Sequence, residues 1–451
     1  MRFGVALGLG VICAGVAGVA ACIGDSSDGG PNAGPDAGDG TDATPSTDDA
    51  SGDAGGTDAA DAADASTVMP CKSESSTRTI LAQTPDAGSF LDVWMMHLSP
   101  TRIAIVSDHT GQGKSLLLYT YEPGDAGAAT EKVIDANDFP MTAVPNSAHD
   151  GLGVIAADAV YFTLHEIDAN GGDVGTQLML IHGGYGSAAL VPLGPSEWWF
   201  ALSDTVTLGP PATNEIWIGH VKSGVMDGLV KVDSLAQSSH TNFRSAVRVG
   251  DRVLLFDDNA PDLTNGGPGT YYWDLPVDTS TATTTTQKIV GAGPSRWIVV
   301  GTAPGTTSDV ELAIAEDQPD PGDPDFIRAG VLTPGSAIDP KAMLKRAFDV
   351  RWNVDVPFRP FGTRSRLSDH GNFVWVGPSP FLSGRGFDVY WYDYAAGALR
   401  ARTTEIFGDR LGVGNLDAEL VATPTTTSAE IDVVWIDQQS SLAYARVKCA
   451  R

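Results

Sequence analysis

The chain reads as an all-β protein of about seven four-stranded units, set behind a leader and a low-complexity tract. Three observations carry this reading. Strand-like apolar runs recur at a mean spacing of about fifty residues, short turn-forming clusters precede them, and helical periodicity is almost absent.

Residues 1–21 carry a single charge, Arg2, and are otherwise almost wholly apolar. Such a run is long enough to span a bilayer. Its glycines, Gly4, Gly8, Gly10, Gly15 and Gly18, suit a cleaved export signal better than a lasting helix. The run closes on Val19-Ala20-Ala21-Cys22, small residues ending on cysteine. This resembles the lipobox of bacterial lipoproteins, in which the cysteine receives a diacylglyceryl group and the chain is cut in front of it. The resemblance implies a lipidated Cys22, of the kind palmitate labels, at the start of the mature chain and a membrane-anchored, extracytoplasmic protein. Ile23, where an aspartate would retain the protein at the inner membrane, implies the outer membrane or cell surface of a Gram-negative host.

Residues 22–69 are Asp, Gly, Ala, Ser, Thr and Pro almost throughout, with eleven aspartates after Cys22 and no Lys or Arg. Such a tract buries too little apolar area to offset the entropy of ordering it, so it is expected to be a disordered tether. Flexible-chain scaling gives it an end-to-end distance of roughly 40 Å. The ligand spacing of a calcium loop is absent from it.

Four cysteines are present. Cys13 lies in the leader and Cys22 at the lipidation site, which leaves Cys71 and Cys449 near the two ends of the body. In an oxidising compartment they are expected to form a disulfide; two buried free thiols are the alternative.

The body, 70–451, is longer than one ordinary core accommodates unless the fold is a closed repeat. Strand-like runs at 102–106, 160–164, 198–202, 252–256, 297–301, 373–377 and 419–423 are taken as first strands, each preceded across a short turn by another apolar run. Partner strands follow at 116–121, 177–181, 215–218, 270–273, 310–315, 388–392 and 431–436, and outer strands at 228–232, 398–403 and 442–447. Trp217, Trp273, Trp391 and Trp435 recur in the partner strands, where packing between neighbouring sheets explains them. Four strands per unit, repeated in this way, describe a β-propeller better than a sandwich, although uneven spacing leaves six or eight blades open. The interval between the second and third units is short by one strand, and 316–362 reads as an insertion holding a helix at 339–348, with Asp339 as its cap and Pro340 at its first position. The repeat resembles generic propeller blades and no named subfamily. A resemblance of that kind implies the fold and leaves the function open.

The motifs that would name a chemistry are incomplete. Gly111-Gln112-Gly113-Lys114-Ser115 lacks the earlier glycine of a phosphate loop, Ser107-Asp108 departs from the sialidase Asp-box, and Gly186-Ser187-Ala188 lacks the last glycine of a nucleophile elbow. The eight histidines form no close ligand pair, and His149-Asp150 and Asp369-His370 read as turn residues. Two acidic groups, Asp257, Asp258 and Asp262 in one loop and Glu316, Asp317, Asp320, Asp323 and Asp325 in another, leave calcium open as a ligand. No other cofactor is expected, and no catalytic residue is assigned.

A net charge of −28 argues against nucleic acid as a partner, because phosphate binding needs clustered Lys and Arg. The one basic cluster, Lys341, Lys345, Arg346 and Arg351, reads as a solvated helix face or a docking point for an acidic polymer. Loops of about a dozen residues, 203–214 and 257–269, follow the first strands while short turns precede them, which puts elaboration on one face. The expected function is a binding or scaffold module for an envelope protein or a glycan. The alternative is a propeller hydrolase or lyase with acidic residues converging at the channel mouth, and a purely structural surface protein is a third reading.

Overall fold

The computed structural model describes residues 68–450 except 74–77, 84–88, 100, 111–115, 125–128, 182–185, 207–212, 237–242, 263–266, 284–287, 290–294, 303–307, 317–324, 334–338, 351–365, 369–371, 379–386, 394–395, 404–412, 422–424, 426 and 438–440. The leader, Cys22 and the tether up to residue 67 lie outside the described residues. So do Gly111 to Ser115, Asp369-His370-Gly371 and Arg351. No helix among the described residues is long and apolar enough to cross a membrane.

The fold is a β-propeller. Among the described residues the strands form seven blades. The first holds Ser89–Ser99, Arg102–Thr110, Leu116–Tyr121 and Thr130–Asp135, and the second Phe139–Pro145, Gly151–Ala157, Tyr161–Asp168 and Asp173–Leu180. The third holds Ala188–Gly194, Glu197–Val206, Thr213–Lys222 and Val225–Ala236, and the fourth Phe243–Val249, Arg252–Asp262, Gly267–Pro276 and Lys288–Ile289. The fifth holds Ser295–Thr302, Val310–Glu316, Asp325–Leu332 and Lys345–Val350, and the sixth Arg366–Ser368, Asn372–Pro378, Phe387–Asp393 and Ala398–Thr403. The seventh takes three strands from the C-terminus, Val413–Leu420, Ser428–Asp437 and Ser441–Ala450, and its fourth from the N-terminus, Met69–Ser73 with Thr79–Gln83. The first strands of consecutive blades lie side by side in a closed cycle, the last beside the first.

Several sequence expectations are shifted by this arrangement. The seven runs, each with an apolar run before it and a partner after it, are the second strands that a four-stranded unit implies in blades one, three, four and six, but a third strand in blade two and first strands in blades five and seven. No strand is missing at the short second-to-third interval: blade two has all four strands, and the interval is short because 160–164 falls in its third strand. The apparent insertion supplies the outer half of blade five, and the helix shrinks to Pro340–Met343 because Lys345–Val350 pairs as a strand with Asp325–Leu332. Lys345 and Arg346 therefore stand on a strand edge. The dozen-residue loops contract because their flanking strands continue: the third-blade hairpin pairs as far as Val206 and Thr213, the fourth-blade hairpin as far as Asp262 and Gly267.

The core is divided among the gaps between blades, as stacked radial sheets require. Trp273 packs with Trp199, Val253 and Phe243 between blades three and four. Trp391 and Trp435 share the gap between blades six and seven with Met69 and Cys71. These tryptophans are core residues, as the sequence implies, and Trp217 packs half-buried against the cluster between blades two and three.

Ring closure depends on the N-terminal strand. Met69–Ser73 runs antiparallel to the last strand and parallel to Ala398–Thr403 of blade six, so it joins two blades into one continuous sheet. Cys71 stands directly opposite Cys449, and the two form the expected disulfide across 378 residues of sequence.

Candidate functional site

Antiparallel alternation sends the connections between first and second strands, and between third and fourth, to one face, here the turn face. The connections between second and third strands, and between blades, emerge on the opposite, crossover face. The densest polar constellation lies toward the turn face, at the seam where blade seven meets blade one.

His97 occupies the inner strand of blade one near its turn. Its Nε2 is 2.9 Å from Asp432 Oδ2 and its Nδ1 is 3.2 Å from Glu419 Oε2, while its backbone N–H donates to the same Glu419 oxygen at 3.0 Å. Asp432, fully buried on the second strand of blade seven, also accepts from Arg446 Nε at 2.7 Å, Arg446 Nη2 at 2.8 Å and Tyr444 Oη at 2.7 Å. Burial works against charge on His97, but the two carboxylates outweigh it and push its pKa up to about 9. Burial likewise opposes ionisation of Asp432, yet Arg446 and His97 hold it below the usual carboxylate range. One strand pairing inward, Asp417 accepts the backbone N–H of Met95 at 2.7 Å and completes the crossing between blades.

A second histidine is clamped in the same manner. His165 Nδ1 is 3.0 Å from Asp173 Oδ2 and Nε2 is 3.0 Å from Asp138 Oδ2. Burial again opposes the charge and the carboxylates prevail, to about 9. An imidazolium with both nitrogens facing carboxylates has no lone pair to offer near neutrality, so neither histidine is a general base as it stands.

The acids of the fourth and fifth blades sit differently from the sequence expectation. Asp257 is fully buried within a strand, not in a loop. Glu316 ends the second strand of blade five and Asp325 begins the third, while Asp317, Asp320 and Asp323 lie outside the described residues. Asp257 instead belongs to a recurrence the sequence reading missed. Asp108, Asp204, Asp257, Glu316 and Asp437 all fall at or near the crossover-face end of a second strand. In blades one, four, five and seven the inner strand bulges opposite this acid, between Phe90 and Val93, Phe243 and Ser245, Ser295 and Trp297, and Val413 and Leu416. Asp108 shows the purpose: its Oδ1 accepts the backbone N–H of Asp92 at 2.6 Å, a donor that the bulge removes from the ladder. An acid closing an apolar run at the blade period was the signal that would have found it.

His149 and Asp150 lie in the turn that follows Pro145, where Asn146 Oδ1 accepts the N–H groups of Ala148 and Asp150, so these two are turn residues. Gly186 is pressed against the Ser203 carbonyl, and Ser187 bonds Ser203, which makes this segment a strand lead-in. Among the described residues, no three of His, Cys, Asp and Glu gather where they would hold a metal ion.

No protein-family model matches the sequence, and no curated protein matches it at a significant level. Among solved structures the chain is similar to an oligogalacturonate lyase in complex with manganese, at 12% identity and a TM-score of 0.47, over 85% of this chain and 96% of that one. It is also similar to the Cps50 (Swd1) β-propeller domain of Myceliophteria thermophila, at 11% identity and a TM-score of 0.45, over 82% and 99%. A third is an oligogalacturonate lyase from Vibrio parahaemolyticus, at 9% identity and a TM-score of 0.45, over 85% and 97%. At these identities and scores the likeness assigns no activity to this chain.

Proposed function

We propose that the protein is a lipid-anchored, extracytoplasmic propeller that serves as a binding scaffold for an envelope protein or a glycan. The observation that carries the compartment is the disulfide between Cys71 and Cys449, a bond that persists where the surroundings are oxidising. It agrees with the export leader and with Cys22 as the lipidated residue. A ring closed by its own first strand is a rigid frame, and rigid frames with variable connections commonly bind through them. The two histidines, each held charged between carboxylates, fit a structural use better than acid–base chemistry.

Metabolic labelling with a palmitate analogue tests the anchor: wild type is expected to be labelled and to fractionate with membranes, and Cys22→Ala to lose both properties. Equal labelling of the two would overturn it. Capture from envelope extracts, against turnover of glycans or peptides by the purified protein, separates the binding scaffold from a hydrolase or lyase.

A further inference from the structure

Every propeller blade presents its outer strand as an open sheet edge, and native proteins guard such edges with charge, brevity or cover. The outer strand of blade one carries Glu131, Lys132 and Asp135. That of blade three carries Asp227, Lys231 and Asp233 and is crossed by the short helical turn Thr279–Thr281. Blade four offers two residues, blade five carries Lys345, Arg346 and Asp349, and blade six is covered by Met69–Ser73. Thr79–Gln83 of blade seven is uncharged, but it is five residues long and shows no strongly exposed apolar side chain.

Blade two differs. From Val174 to Leu180 its outer strand holds no charged residue and no proline, and among the described residues no strand pairs with its outer side. Val174 is 57% exposed and Leu180 45% exposed. Its only charged member, Asp173, is turned to His165. The register with the third strand is regular from Asp173 to Gln177, and the bulge falls beyond it. Beside Val174 lies the third-blade turn at Gly224, followed by Val225 and Met226, 67% and 36% exposed, which widens the apolar margin.

We infer that this edge is a β-addition site for an extended segment of a partner protein, apolar at alternate positions with Lys or Arg between them. An open backbone edge recognises another extended backbone, and side chains on one face of the added strand meet Val174 and its neighbours. The basic positions follow from charge: a chain of net charge −28 repels a second copy of itself and attracts a cationic segment. The inference rests on the protein-binding half of the proposed function.

The probe is an acetylated, amidated peptide of alternating valine and lysine, followed by fluorescence polarisation against the full chain. Binding is expected, and it is expected to weaken about tenfold or more when alternate backbone nitrogens of the peptide are methylated, since methylation removes the donors that pair with the edge. Val174→Thr with Val225→Thr, both on exposed positions at the same margin, is expected to weaken binding to a similar degree without moving Tm. Absence of binding, equal binding of the methylated peptide, or no effect of the double variant would sink the proposal. So would a wild-type dimer that the double variant dissociates, because the edge would then serve a second copy. Envelope capture unchanged by the double variant would leave the scaffold reading standing and remove the edge.

Discussion

His97 Nε2 lies 2.9 Å from Asp432 Oδ2 across the seam between the first and last blades. The histidine comes from the start of the body and the aspartate from its end, 335 residues apart, so this contact measures whether the ring is closed.

The first prediction concerns pH. A histidine raised from 6.5 to about 9 on folding binds its proton more tightly in the native state, so its contribution is fully present below about 6.5 and lost as pH rises through 9. His165 titrates over the same window. Urea midpoints should fall between these limits, and His97→Gln should be less stable than wild type at pH 6 and lose part of that slope. A parallel pH profile in the variant would refute the assignment.

Glu311 acts in the other sense. It is 2% exposed, its Oε2 has no hydrogen-bond partner among the described residues, and burial, then Asp393, raises its pKa to about 7. The folded state holds a proton there that the unfolded chain releases above about 4.5, so this group costs stability increasingly from pH 4.5 to 7 and fully above. Glu311→Gln should stabilise the protein at pH 8 by roughly 1–3 kcal/mol, the usual cost of a buried unsatisfied group, and do little at pH 4.

Loss of the disulfide should be felt globally. Cys449→Ser frees a loop of 378 residues, for which the chain-entropy account gives about 6 kcal/mol as an upper figure. Tm is expected to fall, and non-reducing peptide mapping of the wild type should recover the two ends as one species.

Two substitutions separate backbone from side chain on the blades. Asp108→Ala should destabilise by roughly 1–3 kcal/mol because the N–H of Asp92 loses its acceptor inside the bulge. Gly250→Val should also destabilise, since Gly250 turns with φ of 63°, a conformation that a branched side chain resists. Asp257→Ala should destabilise as well, because Asp257 is fully buried within its strand. Thermal melts of the three would show it.

What the sequence revealed, and what it withheld, follows from the range of the forces involved. Alternating apolar runs, the tryptophans and the turn clusters are local, and they reported an all-β repeat of about seven units, with six or eight left open. The pairing of Cys71 with Cys449 was legible because only two cysteines remained for the body. The phase of the repeat was legible in blades one, three, four and six but not in blades two, five and seven, since a strand's place between channel and rim depends on neighbours that no local pattern records. The helix expected at 339–348 failed for a related reason: capping residues opened it, but pairing of Lys345–Val350 with the third strand of its blade overrode them. The His97 and His165 clamps gather partners from separate strands, and no spacing announces them.

The strand Met69–Ser73 finds its partners only in the last blades of the chain. It precedes every other strand in the described sequence, yet its partners come last. Contacts of such sequence separation are slow to form because the intervening chain must be ordered before they gain anything. Blades one to five can each assemble from neighbouring segments as they emerge, but the sixth and seventh leave open edges until the opening segment returns to them. Closure of the ring by this strand is therefore expected to come late in folding, and until it comes the facing edges of the sixth and seventh blades stand unpaired.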